Sequence, residues 1–440
     1  QGIKGQTYHF EITIFIVTRI CYHSHVYINE YKKNSEISLD KCISSIMNSN
    51  IIHKESLLTM PTEAIDIIID YLNVRDQQNL SHACQKLRRA TRNFHFGVNF
   101  PIWKDITNDL IIAPPISNYR DGVVVDGKFY IVILAEDIPI CWILDFTKNT
   151  IGWIQVSILI SMDPSEYHPV RSTAGAAIKN NIYMFGGESR LTGYPTNIMY
   201  KLDIQSMKLY RIIVNDNYPT PRSMHSLDSI NSEHIILFGG RCMMHGNKFY
   251  DTKEFFIYNV YKNLWIRYDQ TTHLPYARSL HSSSVNNGML YIYGGQHITL
   301  HSFNSSIHND EDIWVYDSYK NTWRKYLAPM TSCFCLPEEW IATKGVGPGK
   351  RYGASIFIMR RKIIILGGTR TTKPDENMSE ENGINGEYMN ILCPKRRTWE
   401  HVQVKGMPQL ECVAIKNRGN KIFIIGKNCD AKMVMGWIID

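Results

Sequence analysis

Ile235-Ile236-Leu237-Phe238-Gly239-Gly240 decides the fold, read with Pro221-Arg222-Ser223-Met224-His225 before it and Phe255-Phe256-Ile257-Tyr258-Asn259-Val260 and Leu264-Trp265 after it. An apolar run ends in a double glycine. A variable polar stretch leads to a second apolar run, Lys262-Asn263 marks a turn, and a tryptophan follows. Short runs of β-branched and aromatic residues bounded by turn signals read as strands. The unit is therefore strand, glycine turn, loop, strand, turn and aromatic-anchored strand.

The unit recurs. Double glycines stand at Gly186-Gly187, Gly239-Gly240, Gly294-Gly295 and Gly367-Gly368, with successive pairs 53, 55 and 73 residues apart. Each follows an apolar run and precedes another, at Ile198–Leu202, Phe255–Asn259, Ile313–Asp317 and Tyr388–Leu392. Each unit then reaches a large aromatic, Tyr210, Trp265, Trp323 or Trp399, and carries an arginine upstream, Arg171, Arg222, Arg278 or Arg351. Gly175, His225, His281 and Gly353 follow these arginines. A period near fifty is that of propeller blades. A short four-stranded sheet cannot cover its own faces and stacks on its neighbours around a channel.

Two weaker units flank the four. Arg120–Val156 has the arginine and Trp153, with Ala135-Glu136 in place of the glycine pair. Pro408–Asp440 has Gln409 at the arginine position and one glycine, Gly426, and stops after three strands. Pro101–Ile106, carrying Trp103, reads as the missing outer strand of that last blade, which closes the ring and leaves no open edge. On these residues the chain resembles the kelch family, whose repeats form β-propellers. The expected fold is mainly β, a six-bladed kelch-type propeller over residues 99–440.

Ahead of it, Leu57–Phe94 has helical periodicity. Ala64, Ile65, Ile68, Ile69 and Leu72 form one apolar face, and Leu80, Ala83, Cys84 and Leu87 a second, with a break at Asn73-Val74-Arg75. Pro61 and Glu63 suit a helix start, and Lys86, Arg88, Arg89 and Arg92 suit a helix end. A hairpin this small cannot bury both stripes alone and needs a partner. Met60-Pro61, Glu63, Ile65, Ile68, Tyr71-Leu72, Asp76, Leu80-Ser81, Cys84 and Leu87-Arg88 resemble the F-box. The resemblance implies that residues 56–95 bind a Skp-type adaptor through Pro61, Ile65, Ile68, Leu72, Leu80 and Cys84. Gln77 replaces the usual leucine and Leu87 a common tryptophan. Residues 1–55 read as a poorly structured extension.

The chain has 440 residues, is 44% hydrophobic and 20% charged, and has no apolar run long enough to cross a bilayer as a helix. It begins with Gln1, so an upstream targeting signal stays open. Ten cysteines are scattered without a CxxC pair, which suits free thiols in a reducing compartment, cytoplasmic or nuclear. The net charge of +7 fits ordinary surface charge or an acidic partner.

Arg120, Arg171, Arg222, Arg278 and Arg351 each precede an innermost strand. Equivalent positions in a ring converge, so these arginines form a positive funnel for an acidic protein partner, or else pair with neighbouring blades. Kelch receptors of acidic peptide motifs use arginines at this kind of position. The histidines at 225 and 281 read as structural. His297, His301 and His308 share a loop with Asp310, Glu311 and Asp312, but the spacing matches no recognised metal set, and no cofactor is expected. No GxSxG, HExxH, P-loop or GxGxxG is present, so no catalytic residue is assigned.

The expected function is substrate recognition for a Skp/cullin/F-box-type ubiquitin ligase, without nucleic acid or membrane binding. A kelch-fold metal enzyme, galactose-oxidase-like or an iron-dependent lyase, and a plain scaffold are the alternatives.

Overall fold

Asp145, Asp203, Asn259 and Asp317 each end the third strand of a blade, and each side chain accepts a hydrogen bond from the backbone N–H two residues on, at 2.9, 2.9, 3.1 and 3.0 Å. This side-chain turn stops the strand and reverses the chain. A left-handed residue completes the reversal in four blades: Met207, Asn263, Asn321 and Arg397.

The computed structural model describes residues 102–107, 114, 122–147, 152–214, 217–244, 247–268, 274–297, 311–329, 337–359, 361–370, 388–408, 410–418, 421–427 and 433–439. Contacts set Phe100–Ile439 apart as one compact unit. The expected helical hairpin and the residues assigned to it lie outside the described residues, as does Arg120.

Phe100–Ile439 is a six-bladed β-propeller. Its first blade is Val123–Val125, Lys128–Ile133, Ile140–Asp145 and Trp153–Ser157. The third, built on the diagnostic stretch, is Ser226–Ser229, His234–Phe238, Phe255–Asn259 and Leu264–Arg267. All main strands pair antiparallel from the inside outwards. The second and fourth blades gain a short parallel fifth strand, Leu159–Ile160 and Trp340–Ile341, which covers part of the outer edge.

The ring closes as the sequence predicts. Ile102–Asp105 pairs antiparallel with Met433–Ile439, placing Trp103 opposite Ile438 and making the first described strand the outer strand of the sixth blade. Trp103 is buried against Gly436, where a Cβ would stand 2.2 Å from its ring.

Trp103 occupies the position that Trp153, Trp265, Trp323 and Trp399 hold in other blades, each opposite the same residue of the third strand. These tryptophans fill the gaps between blades. Trp153 packs with Phe423, Met435 and Trp437 of the sixth blade, Trp265 with Phe185 of the second, and Trp323 with Phe238 and Phe255 of the third. In the second blade this position belongs to Leu209, which pairs with Leu202 and is fully buried. The expected Tyr210 is one residue off and faces the other way.

Candidate functional site

Positive φ at the start of each inner strand aligns the blades. Ser172, Met224, Leu280 and Gly353 have φ of 55, 57, 55 and 70°. Arg171 therefore matches Ser223, Ser279 and Tyr352, while Val170 matches Arg222, Arg278 and Arg351. Strand pairing agrees, since Arg171 pairs with Glu188 as Ser223 pairs with Arg241 and Ser279 with Gln296. The residues equivalent to His225 and His281 are Thr173 and Ala354, not the expected Gly175 and Gly353.

Three of the five arginines are interior. Arg222, Arg278 and Arg351 are 0, 3 and 5% exposed. Each Nη1 donates to the carbonyl of the first glycine in its own blade's pair, Gly239, Gly294 and Gly367, at 3.0, 2.9 and 3.1 Å. Each Nε donates to a nearby upstream carbonyl, of Thr220, Tyr276 and Pro348, at 3.0, 3.1 and 2.7 Å. Their backbone carbonyls accept from the second glycine of the preceding blade, Gly187, Gly240 and Gly295, at 2.9, 2.8 and 2.9 Å. The guanidinium thus ties the start of the inner strand to its own blade's glycine corner, and the arginine's backbone carbonyl ties it to the preceding blade. It has no surface to offer a partner, so the expected funnel is corrected for these three positions.

The double glycine answers to the same contact. At Gly239 a Cβ would stand 2.7 Å from the Arg278 carbonyl oxygen, at φ +65°. The sixth blade keeps the backbone half of the device with Leu410, whose carbonyl accepts from Gly368 at 2.9 Å. In the second blade the position is held by buried Val170, whose N–H donates to the Leu134 carbonyl of the first blade at 3.0 Å. Arg222 also pairs with Glu254, which accepts from Thr220 Oγ1 at 3.0 Å and stands 3.4 Å from Arg267.

His225 lies edge-on to Phe185 of the preceding blade, with ring centroids 5.7 Å apart. Burial, seconded by the Arg222 charge, pushes its pKa down to about 3. His281 repeats the contact on Phe238 at 5.3 Å, and its Nε2 is 3.0 Å from Ser226 Oγ. Both are packing residues, as expected. On the inner strands Asp228 accepts from Ser283 Oγ at 2.6 Å, and desolvation raises its pKa to about 6 despite that bond.

What does reach the loop end of the propeller is a set of paired charges. Arg171, 60% exposed at its side chain, holds Glu188 at 3.1 Å. Glu188 also accepts from Ser223 of the next blade at 3.3 Å. Arg241 holds Asp251 at 3.2 Å and donates to Ser279 of the next blade at 3.1 Å. Arg190 meets Glu136 and Asp137 of the first blade at 3.4 and 3.6 Å. The sequence reading missed Glu188 and Arg241. Their shared place directly after each glycine pair is the signal that would have found them.

His297 is described, whereas His301, His308 and Asp310 lie outside the described residues. Among the described residues no group of three or more His, Cys, Asp or Glu is placed to hold a metal ion.

With this geometry in hand, a family model described as the KLHDC2/KLHL20/DRC7 Kelch-repeats domain matches residues 141–335. The chain carries kelch repeats. An F-box domain model matches residues 57–99, ahead of the kelch propeller. Kelch domain-containing protein 3 of Bos taurus is 29% identical over 213 residues, 47% of this chain and 50% of that protein. The chain thus spans about half the length of that kelch relative. N-(sulfonatooxy)prop-2-enimidothioate sulfolyase of Thlaspi arvense is 23% identical over 265 residues, 58% of this chain and 70% of that protein. The solved structure of YjhT matches with a TM-score of 0.53 at 14% identity, covering 74% of this chain and 95% of that one, a likeness of fold alone.

Proposed function

We propose that this chain is the substrate-recognition subunit of a Skp/cullin/F-box-type ubiquitin ligase, acting in the cytoplasm or nucleus. The F-box region takes the adaptor through Pro61, Ile65, Ile68, Leu72, Leu80 and Cys84, and the propeller takes the target protein at its loop end. The observation that carries this reading is the order of the parts. An F-box match ends at residue 99, and the strand that closes a kelch propeller begins at Ile102. The protein does no chemistry in this reading. It raises the local concentration of target lysines near the ubiquitin-loaded enzyme. The test is capture of the intact chain, probed for a Skp-type adaptor and a cullin. Absence of both under conditions that retain a known F-box protein would reject it.

Similarity to a sulfolyase supports a second reading, a kelch-fold enzyme. Metal content of the purified chain discriminates between the two. Stoichiometric iron or copper favours the enzyme, and the adaptor without metal favours the receptor. No helix among the described residues is long and apolar enough to cross a membrane.

A further inference from the structure

Arg324 is the third residue of the fourth blade's outer strand, Thr322–Tyr326. Register sets it beside Val315, and Val315 beside Tyr291, so the three side chains share one face of the sheet. Tyr326, two residues on, shares that face. Val315 and Tyr326, with Tyr291 at the margin, pack with Leu392 and Trp399 of the fifth blade. The face therefore looks into the seam between the two blades.

Its polar groups are donors short of oxygen. Arg324 Nε is buried and has no acceptor. Arg324 Nη2 donates to the Met289 thioether at 3.2 Å, and the Tyr291 hydroxyl lies on the same sulfur at 3.7 Å. Sulfur is a weak acceptor for both. Tyr326 is 6% exposed, and its hydroxyl has no hydrogen bond among the described residues. Asp317 of the neighbouring strand accepts from the Tyr319 and Lys320 N–H groups and forms no ion pair with Arg324.

A second guanidinium comes from the fifth blade. Arg397, in the turn before Thr398–Gln403, is exposed, and its side chain has no hydrogen bond or ion pair among the described residues. Burial raises the pKa of the Tyr326 hydroxyl, and the charges of Arg324 and Arg397 both oppose the rise, which sets the two cations around that one hydroxyl. Like charges so gathered repel unless an anion stands among them. A carboxylate brings two oxygens. A phosphate brings enough to serve two guanidiniums and two hydroxyls at once.

We propose that the seam between the fourth and fifth blades is a phosphate site, with Arg324 and Arg397 as its cations and the Tyr291 and Tyr326 hydroxyls as further donors. Met289 opens a second strand and Arg397 precedes a fourth, which puts the site towards the turn end of the blades, away from the loops proposed to hold the target.

The experiment is thermal melting and calorimetric titration of the intact chain with inorganic phosphate, against chloride and acetate at matched ionic strength. Phosphate should raise the melting temperature and bind once per chain, and the other two anions should do neither. Arg324→Gln should weaken phosphate binding at least about tenfold. Arg397→Ala should weaken it roughly two- to fivefold, and Tyr326→Phe about threefold or more. Lys262→Ala, which removes an exposed cation of the third blade, should leave it unchanged. Arg397→Ala and Tyr326→Phe keep the test decisive should Arg324→Gln fail to fold. No phosphate binding by the parent, equal stabilisation by chloride or acetate, or affinity unchanged in either folded arginine variant would overturn the site. Titration with O-phosphoserine separates the sources: tighter binding than phosphate assigns the site to a phosphorylated side chain, weaker binding to the free ion.

Discussion

Arg222 shows why a repeated cation need not be a binding residue. It is wholly buried, bonded to Thr220 and Gly239, and paired with Glu254. Truncating Arg222 takes the donor from the Thr220 and Gly239 carbonyls and leaves Glu254 with Arg267 and Thr220, at about 1–3 kcal/mol for each buried acceptor left unpaired. Arg222→Ala should lower the denaturation midpoint by that measure, and Arg222→Lys should rescue little, because an ammonium cannot reproduce the fork. Denaturant titration of both variants checks this. Two neighbouring groups set opposite pH slopes. His225 titrates near 6.5 unfolded and about 3 folded, so stability falls as pH falls through that window. Asp228 titrates near 3.8 unfolded and about 6 folded, so stability falls as pH rises through its window. Over about pH 4–6 the two offset each other. Asp228→Asn removes one slope. The variant should gain on the order of 1–2 kcal/mol over the parent at neutral pH and lose that advantage towards pH 4. Denaturation curves at both pH values would show it.

At the scale of elements, the glycine corner and the closing strand bear on stability most directly. Gly294 has φ +65°, and a Cβ there would stand 2.4 Å from the Arg351 carbonyl oxygen. Gly193 has φ +73° with nothing within 4 Å of a Cβ. Gly193→Ala should therefore cost only the left-handed strain, about 1–2 kcal/mol, while Gly294→Ala should cost clearly more, since backbone of the next blade must move. Paired thermal melts compare them. Trp103 is the closing strand's anchor. Trp103→Ala should cost about 3–5 kcal/mol through the cavity it leaves. The loss should appear as faster hydrogen exchange in Ile102–Asp105 and Met433–Ile439, with the third blade unchanged.

At the scale of the molecule, the proposed function gives the F-box region and the propeller separable tasks. Pro61→Ala with Ile65→Asp should abolish adaptor capture and leave the propeller melt unchanged. Capture retained in that variant would remove the F-box reading. Gln77→Leu restores an apolar group where the F-box pattern has one, and should strengthen capture by up to about tenfold. Titration of purified adaptor against the three chains measures this directly.

The propeller was legible because its requirements are local. Glycine pairs mark backbone that only glycine occupies cheaply, at φ of 65–67° for Gly186, Gly239, Gly294 and Gly367. Tryptophan marks a gap of fixed size between blades, which is why Trp103 could be assigned to a blade whose other strands lie more than 300 residues away. Register and the direction of charge were not legible. Val170-Arg171 and Leu209-Tyr210 each offered two adjacent candidates for one position. In a strand, a shift of one residue exchanges the faces. The inner arginines looked like a funnel because sequence shows where a cation stands and not which carbonyls surround it. Those carbonyls belong to glycines 16 or 17 residues on, and the donors that bind the arginines' own backbone belong to the preceding blade. Folding of the blade brings the guanidinium its acceptors, and only the stacked ring adds the neighbouring glycine N–H groups to the arginine carbonyls.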